Sequence, residues 1–245
     1  MPALKRIARI FSRARLRGRA AWWALISPHK LSFSQCGEDV IAGFLLNQLG
    51  IQRPLYLDIG AHHPIHLSNT ALFCLQGGRG INIEPDPRLF GEFVRHRPRD
   101  INLNIGIGAV PGNLTFFRMA DPALSTFSHE EATRIEEEEG IPIKERLSLP
   151  VRPIAEVLRE YNFFPNFVSI DVEGKDLEVL EGFEFNTHMP EAICVETLSF
   201  SLKQAGRKSP AITTYMAQHG YDVYADTYIN TIFVRRDRFT TMNGK

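Results

Sequence analysis

Cysteine is scarce in this 245-residue chain, with Cys36, Cys74 and Cys194 the only three. They cannot all pair with one another and none falls in a Cys-x-x-Cys spacing, so buried thiols in a reducing compartment are the expectation. Long apolar runs are also missing. The stretch at 20–26, which carries Trp22 and Trp23, falls well short of the about 20 residues a bilayer span needs. No small-residue cleavage site follows it, so the chain reads as cytoplasmic rather than secreted. Nor is there an excess of either charge: 28 basic residues face 28 acidic ones. The balance is uneven along the chain. Residues 1–37 hold eight Lys and Arg and no Asp or Glu, which leaves 20 basic against 28 acidic residues in the remainder, a net of −8. An acidic body is a poor general partner for nucleic acid.

What is present divides into two parts, a basic extension at 1–31 and a body over 32–240. In the extension, Leu4, Ile7, Ala8 and Phe11 lie among arginines at the spacing of a short amphipathic helix. Three readings stay open: an organellar transit segment, a solvated tail, and an interfacial helix. In the last, the Trp pair sits at the headgroups and the protein is peripheral to an anionic membrane.

The body reads as alternating helices and strands. A helix is expected over 32–49, capped by Ser34, with Val40, Ile41, Phe44, Leu45 and Leu49 on one side. A strand follows at 55–59, then a helix from a Ser68 cap through Gln76. A second strand covers 80–84. Asp86-Pro87 opens the next helix, with Asp as cap and Pro at its first position, and Leu89, Phe90, Phe93 and Val94 as its buried face. A third strand covers 101–105 and a short extra one 114–118. The stretch 119–147 breaks the pattern. It holds a polar helix near 128–139 at most, and weak periodicity over that length suggests a lid-like insertion. Pro153 starts another helix, a fourth strand covers 167–170, Asp176 caps a helix through Glu181, and a fifth strand covers 192–195. The helix 210–218 and an antiparallel hairpin (221–225 with 229–234) close the domain. The expected fold is α/β: a mostly parallel, seven-stranded Rossmann-like sheet with helices on both faces.

Four strands deliver an acid to one edge, namely Asp58, Glu84, Asp171 and Glu196. Ligands in open parallel sheets bind at that edge. Gly60, directly after the first strand, lets the backbone turn and a ligand approach. Glu84, at the end of the next strand, can accept hydrogen bonds from both hydroxyls of a ribose, which suits NAD and S-adenosylmethionine alike. A pyrophosphate asks for G-x-G-x-x-G, whereas the loop here is Gly60-Ala-His-His-Pro64. A sulfonium cofactor without phosphate tolerates that loop and gains from the field of Asp58 and Asp171. The closing hairpin also fits a methyltransferase sheet better than a dehydrogenase sheet.

The strings Ser34-Gln-Cys-Gly-Glu-Asp39, Leu57-Asp-Ile-Gly-Ala-His-His-Pro64, Ser68-Asn-Thr70, Gly80-Ile-Asn-Ile-Glu-Pro85, Arg97-Pro-Arg-Asp-Ile-Asn102 and Ser169-Ile-Asp-Val-Glu-Gly174 occur in order over about 32–235. Together they resemble the FkbM-type methyltransferase family. The resemblance implies a class I methyltransferase fold and S-adenosylmethionine. It also implies O-methylation of a sugar, a glycan or another small hydroxylated acceptor. By that likeness Asp58, Gly60 and Ala61 hold the methionine part, Glu84 the ribose, and Asn104, Ile105 and Gly106 lie by the adenine. Asp171 and Glu173 then face the methyl group and the acceptor. Asp171 and Glu173 are the candidate general bases, with His63 and its neighbour His62 next. Helix capping and a pair with Lys175 would also explain the two acids. Asp171, Glu173, Glu196 and the histidines offer ligands suited to Mg²⁺, but no spacing is diagnostic and no metal is assigned. Two alternatives stand: a catalytically silent, membrane-associated module, and a nicotinamide-dependent oxidoreductase.

Overall fold

Alternation along the strands sorts the apolar side chains into two layers. The computed structural model describes residues 31–202 and 206–243, so the basic segment and its interfacial-helix reading lie outside the described residues. The elements run α1 (Glu38–Gln48), β1 (Leu55–Ile59), α2 (Ala71–Leu75), β2 (Arg79–Ile83), α3 (Pro87–His96), β3 (Ile101–Leu103), β4 (Gly106–Ile107), β5 (Gly112–Met119), a 3₁₀ turn (Pro122–Leu124), α4 (His129–Glu139), β6 (Ile143–Arg152), α5 (Ile154–Glu160), β7 (Phe167–Ile170), α6 (Asp176–Glu181), β8 (Ala192–Glu196), α7 (Pro210–Gln218), β9 (Tyr221–Asp226), β10 (Asn230–Arg235) and α8 (Arg236–Asn243).

Seven strands form one sheet in the order β3-β2-β1-β7-β8-β10-β9. The first five are parallel, and β10 pairs antiparallel with both β8 and β9. The expected closing hairpin is therefore present. Successive side chains of a strand point to opposite faces. Leu57, Ile59, Val168 and Ile170 pack with Val157, Leu158 and Leu180 of α5 and α6. Tyr56, Phe167 and Cys194 pack with Leu45 and Leu46 of α1 and Phe73 of α2. Helices thus cover both faces. The chain builds outward from β1 to β3 and then returns to start again at β7 beside β1. The strand order switches there, and a crevice opens at the carboxyl ends of those two strands.

Several expected boundaries move. Helix α1 starts at Glu38, not in the low thirties, because Gly37 turns the backbone left-handed (φ 92°) just ahead of it. Ser34 caps the turn before the helix: its hydroxyl receives the amides of Gly37 and Asp39 at 3.2 and 3.3 Å. The buried side of α1 is Ala42, Leu45 and Leu46, and Phe44 is exposed. Helix α2 is shorter than read, starting after Thr70, while the Ser68 hydroxyl still receives the Ala71 amide. Asp86 caps α3 as expected, accepting from the Arg88 amide, but Val94 is exposed and Phe93 carries the burial. Asp176 is the first residue of α6 rather than its cap. Its carboxylate instead receives the amides of Val172 and Gly174 in the preceding loop. Lys175 pairs with Glu178, not with the Asp171–Glu173 stretch.

The largest difference lies between 101 and 152. The third strand stops at Leu103, and β4 leaves it to join a second sheet of order β4-β6-β5. Residues 119–147 supply α4, capped by the Ser128 hydroxyl on the Glu131 amide, and the first half of β6. This small sheet is bolted to the main one by a buried ion pair. Arg118 of β5 donates to both oxygens of Asp86, at 2.7 and 3.0 Å. Among the described residues no helix is long and apolar enough to cross a membrane.

Candidate functional site

The strand-end acids converge at the switch point, each held differently. Asp58, at the fourth position of β1, is buried and receives the Thr70 hydroxyl at 2.5 Å. That hydroxyl is itself held by Arg97 Nη1 at 2.7 Å. The Arg97 guanidinium also donates to Pro64 O, Ser68 Oγ and Asn82 Oδ1, so one buried cation fixes the whole loop after β1. Burial lifts the Asp58 carboxyl to about 6, against the pull of Arg97 and Thr70. Glu84, just past β2, receives the backbone amides of His62 at 2.8 Å and Asp86 at 2.7 Å. Its burial nevertheless raises its carboxyl to about 8.

Gly60 is the hinge between these acids and β7. Its φ is +73°, and a Cβ added there would stand 1.7 Å from the Asp171 carbonyl oxygen. Past β7, Asp171 has its carboxyl raised to about 7 by burial and by the nearby Asp176 and Asp58. Glu173 lies two residues on, at a left-handed φ of 53°. Burial first, then the neighbouring acids, pushes it and Glu196 well above the carboxylate range. Asp171, Glu173 and Glu196 each place a carboxylate oxygen within 4.8 Å of the other two.

Two cavities open here and share Gly60, His62, Ala123, Asp171 and Glu173. One is a slot of about 50 Å³. Its walls are Ile83, Glu84 and Pro85 on one side and Gly106, Ile107, Phe116 and Phe127 on the other. The other is a chamber of about 560 Å³, within the size range of small-molecule sites. Asp58, Ala61, Ser68, Asn69, Glu196 and Tyr228 are among its walls. Among the described residues five non-glycines have positive φ, and four of them (His62, Leu67, Glu173 and Tyr228) line the chamber. Strain of this kind collects at functional sites, which singles out the chamber.

Most of the residues read from the sequence meet at these cavities. Asp58, Gly60, Ala61, Glu84, Gly106, Asp171 and Glu173 all line one or both. Asn104 and Ile105 line neither. Asn104 uses its amide to hold the carbonyls of Glu84 and Pro85 at 2.8 Å. His63 also lines neither cavity, since its Nδ1 receives the amides of Ile65 and His66. The adjacent His62 lines both, and burial lowers its pKa so that the ring is held toward its neutral form.

Some residues that build the cavities and the loop beside them escaped the sequence. Arg97 reads as a helix-terminal cation because its partners lie 15 to 33 residues away. Phe127 and Thr126 looked like part of a featureless insertion. Yet Phe127 packs on Phe116 with ring centroids 5.0 Å apart, and Thr126 Oγ1 donates to the Glu173 carbonyl at 2.7 Å. The string Ser125-Thr-Phe-Ser128, with its run of hydroxyls, was the available signal.

Against known proteins, residues 58–223 match the profile of the FkbM methyltransferase domain. No curated protein sequence matches significantly. Among solved structures, an FkbM methyltransferase from Methylobacillus flagellatus KT is similar at 16% identity and a TM-score of 0.44, over 75% of this chain and 44% of that one. The chain thus spans less than half of that protein's length. A Burkholderia thailandensis 1,6-didemethyltoxoflavin-N1-methyltransferase, solved with 1,6-didemethyltoxoflavin and S-adenosylhomocysteine, is similar at 10% identity and a TM-score of 0.41, over 93% of this chain and 85% of that one. A precorrin-6y C5,15-methyltransferase from Geobacter metallireducens GS-15 is similar at 14% identity and a TM-score of 0.38, over 80% and 87%.

Proposed function

The chain belongs to the FkbM methyltransferase family, and from that premise we propose that it methylates a hydroxyl of a sugar, glycan or other small acceptor, with S-adenosylmethionine as donor. The observation that carries this reading is the junction of slot and chamber at Gly60, His62 and Asp171. A ribose-binding acid stands on one side of it and a group of bare carboxylates on the other.

The residues fit the donor. Glu84 faces the slot and keeps lone pairs beyond its two amide bonds, so its carboxylate can receive ribose hydroxyls. Gly106 and Phe127, with Ile107, make an apolar wall for a flat ring. Here Gly106, and not Asn104 or Ile105, takes the adenine side. Asp58, Gly60 and Ala61 border the chamber end where a methionine part would lie. The surrounding acids favour a positively charged donor, which would draw them toward their ionised forms, and they offer a pyrophosphate no positive partner. S-adenosylmethionine supplies an electrophilic methyl group on a sulfonium.

The chamber's polar walls suit a hydroxylated acceptor. A hydroxyl proton has receivers at the junction in Asp171, Glu173 and neutral His62, and a positioned base contributes typically 10²–10⁴-fold. His62 takes the place first given to its neighbour His63, whose ring nitrogen is already engaged.

Isothermal titration of the full chain with S-adenosylmethionine and S-adenosylhomocysteine, beside NADH, tests the reading. Micromolar binding of the first two, lost in Glu84→Ala, is expected. A folded protein that binds neither, or that prefers NADH, would overturn it.

A further inference from the structure

Three carboxylates meet at the junction without a counter-charge. β7 and β8 are adjacent and parallel, in register from Phe167↔Ala192 to Ile170↔Val195, so Asp171 and Glu196 emerge side by side. The loop after β7 adds Glu173. The three offer oxygens within 4.8 Å of one another, and among the described residues no Lys or Arg forms an ion pair with any of them. Arg134, whose charge acts on Glu173, is committed to Glu131 at 2.5 Å. The other charged groups facing the trio are Asp58, Asp176, Glu38 and Glu131, all acidic.

Glu173 supplies the second observation. It is only 8% exposed, and among the described residues its carboxylate has no hydrogen-bond partner, although Thr126 and Asp176 tie the backbone around it. Thr126 holds its carbonyl, and Asp176 holds the amides on either side. A buried acid is ordinarily hydrogen-bonded, paired or on a metal. This one is aimed into a space bordered by two further acids and open to the chamber.

We propose that Asp171, Glu173 and Glu196 form a binding site for one divalent cation that takes oxygen ligands. Three carboxylates with no thiolate and no ring nitrogen among them suit Mg²⁺, Mn²⁺ or Ca²⁺ better than Zn²⁺. The site does not depend on the methyl-transfer reading, but its role does. The coordination positions left free face the chamber, where neighbouring oxygens of a hydroxylated acceptor would complete the shell. With the carboxylates on the cation, His62 is the group left to receive the acceptor's proton.

The test uses Mn²⁺ alone as the probe, titrated into the full chain without other ligands and followed by the loss of the free-ion electron paramagnetic resonance signal. One Mn²⁺ per chain, competed by Mg²⁺ or Ca²⁺, is expected. Affinity should fall at least tenfold in each of Glu196→Gln, Glu173→Gln and Asp171→Asn that retains the wild-type circular dichroism spectrum. Absence of bound Mn²⁺ at millimolar concentration would overturn the site, as would unchanged binding in a folded variant. Titration with S-adenosylhomocysteine on the same samples separates the two ideas: binding of that demethylated product without Mn²⁺ binding removes the cation and leaves the methyltransferase reading intact. A chamber that ignores Mn²⁺ but takes up an organic ammonium would likewise reject the metal.

Discussion

Gly60 backs onto the carbonyl oxygen of Asp171 so closely that a single added carbon would stand 1.7 Å away. The contact is between backbone and backbone, so no side chain can move aside. Gly60→Ala adds that collision to a left-handed φ that costs a Cβ-bearing residue about 1–3 kcal/mol. The variant should melt several degrees lower and lose donor binding. A wild-type melting temperature would show that the ends of β1 and β7 separate freely.

Glu84 governs a pH dependence whose sign can be worked out. Burial raises its carboxyl from 4.5 to about 8. The folded state therefore holds a proton that the unfolded state has released, and stability falls as pH rises from about 4.5 to about 8. Each pKa unit corresponds to about 1.4 kcal/mol. Asp58 and Asp171, raised to about 6 and 7, act in the same direction lower in the range. Denaturant melts at pH 5, 7 and 8.5 should show Glu84→Gln gaining stability relative to wild type with each step. A constant difference between the two proteins would contradict the assignment.

In binding, the same carboxylate works the other way. Ribose hydroxyls donate to its ionised form, so donor affinity should improve as pH rises toward 8. Glu84→Ala should cost at least about 10–100-fold, the value of one hydrogen bond to a charged group. Calorimetry at two pH values reads both effects.

Arg118 and Asp86 hold the small sheet against the large one through a buried, two-pronged ion pair. Removing one partner strands the other charge, which typically costs about 3–5 kcal/mol. Arg118→Met should be destabilised by about that amount, and Arg118→Met with Asp86→Asn by less than the sum. Strict additivity in chemical denaturation would mean that the pair is not coupled.

Asp171→Asn should cut turnover on the true acceptor more than tenfold while moving the melting temperature by only a few degrees, because among the described residues no group donates a hydrogen bond to its carboxylate. Full activity in that variant would remove Asp171 from the chemistry.

The sequence made the main sheet legible because its strands are short apolar runs ending in acids or glycine, and because Asp86-Pro87 is a strong local helix start. Asp58, Gly60, Glu84 and Asp171 followed from that pattern. Of the second sheet only β5 was legible, as the short strand at 114–118. In β6, Lys144, Glu145 and Arg146 interrupt the apolar alternation, and Pro150 lies within the strand. Pro150 is tolerated because β4 pairs only with Val151 and Arg152, so β6 has a single neighbour at that point. The Arg97 hub was hidden for another reason. A guanidinium that gathers Pro64, Ser68, Thr70 and Asn82 leaves no periodic trace. Thr70→Val would probe it: with Asp58 and Arg97 deprived of their shared hydroxyl, a loss of about 1–3 kcal/mol is expected in denaturant melts.

The slot and the chamber draw on different stretches of chain. The slot's own walls come from the end of β2 and the turn after it, from the small sheet with the loop at 122–127, and from 172–179. The chamber borrows Gln35 from before α1 and much of its far side from 196–201 and 228–229. They share only the narrow seam where the methyl group would pass. Such a layout separates two kinds of inheritance. The seam and the slot can be passed on unaltered, while the far wall of the chamber drifts, lengthens or is replaced. Descendants can thereby acquire new acceptors without relearning how to hold the donor.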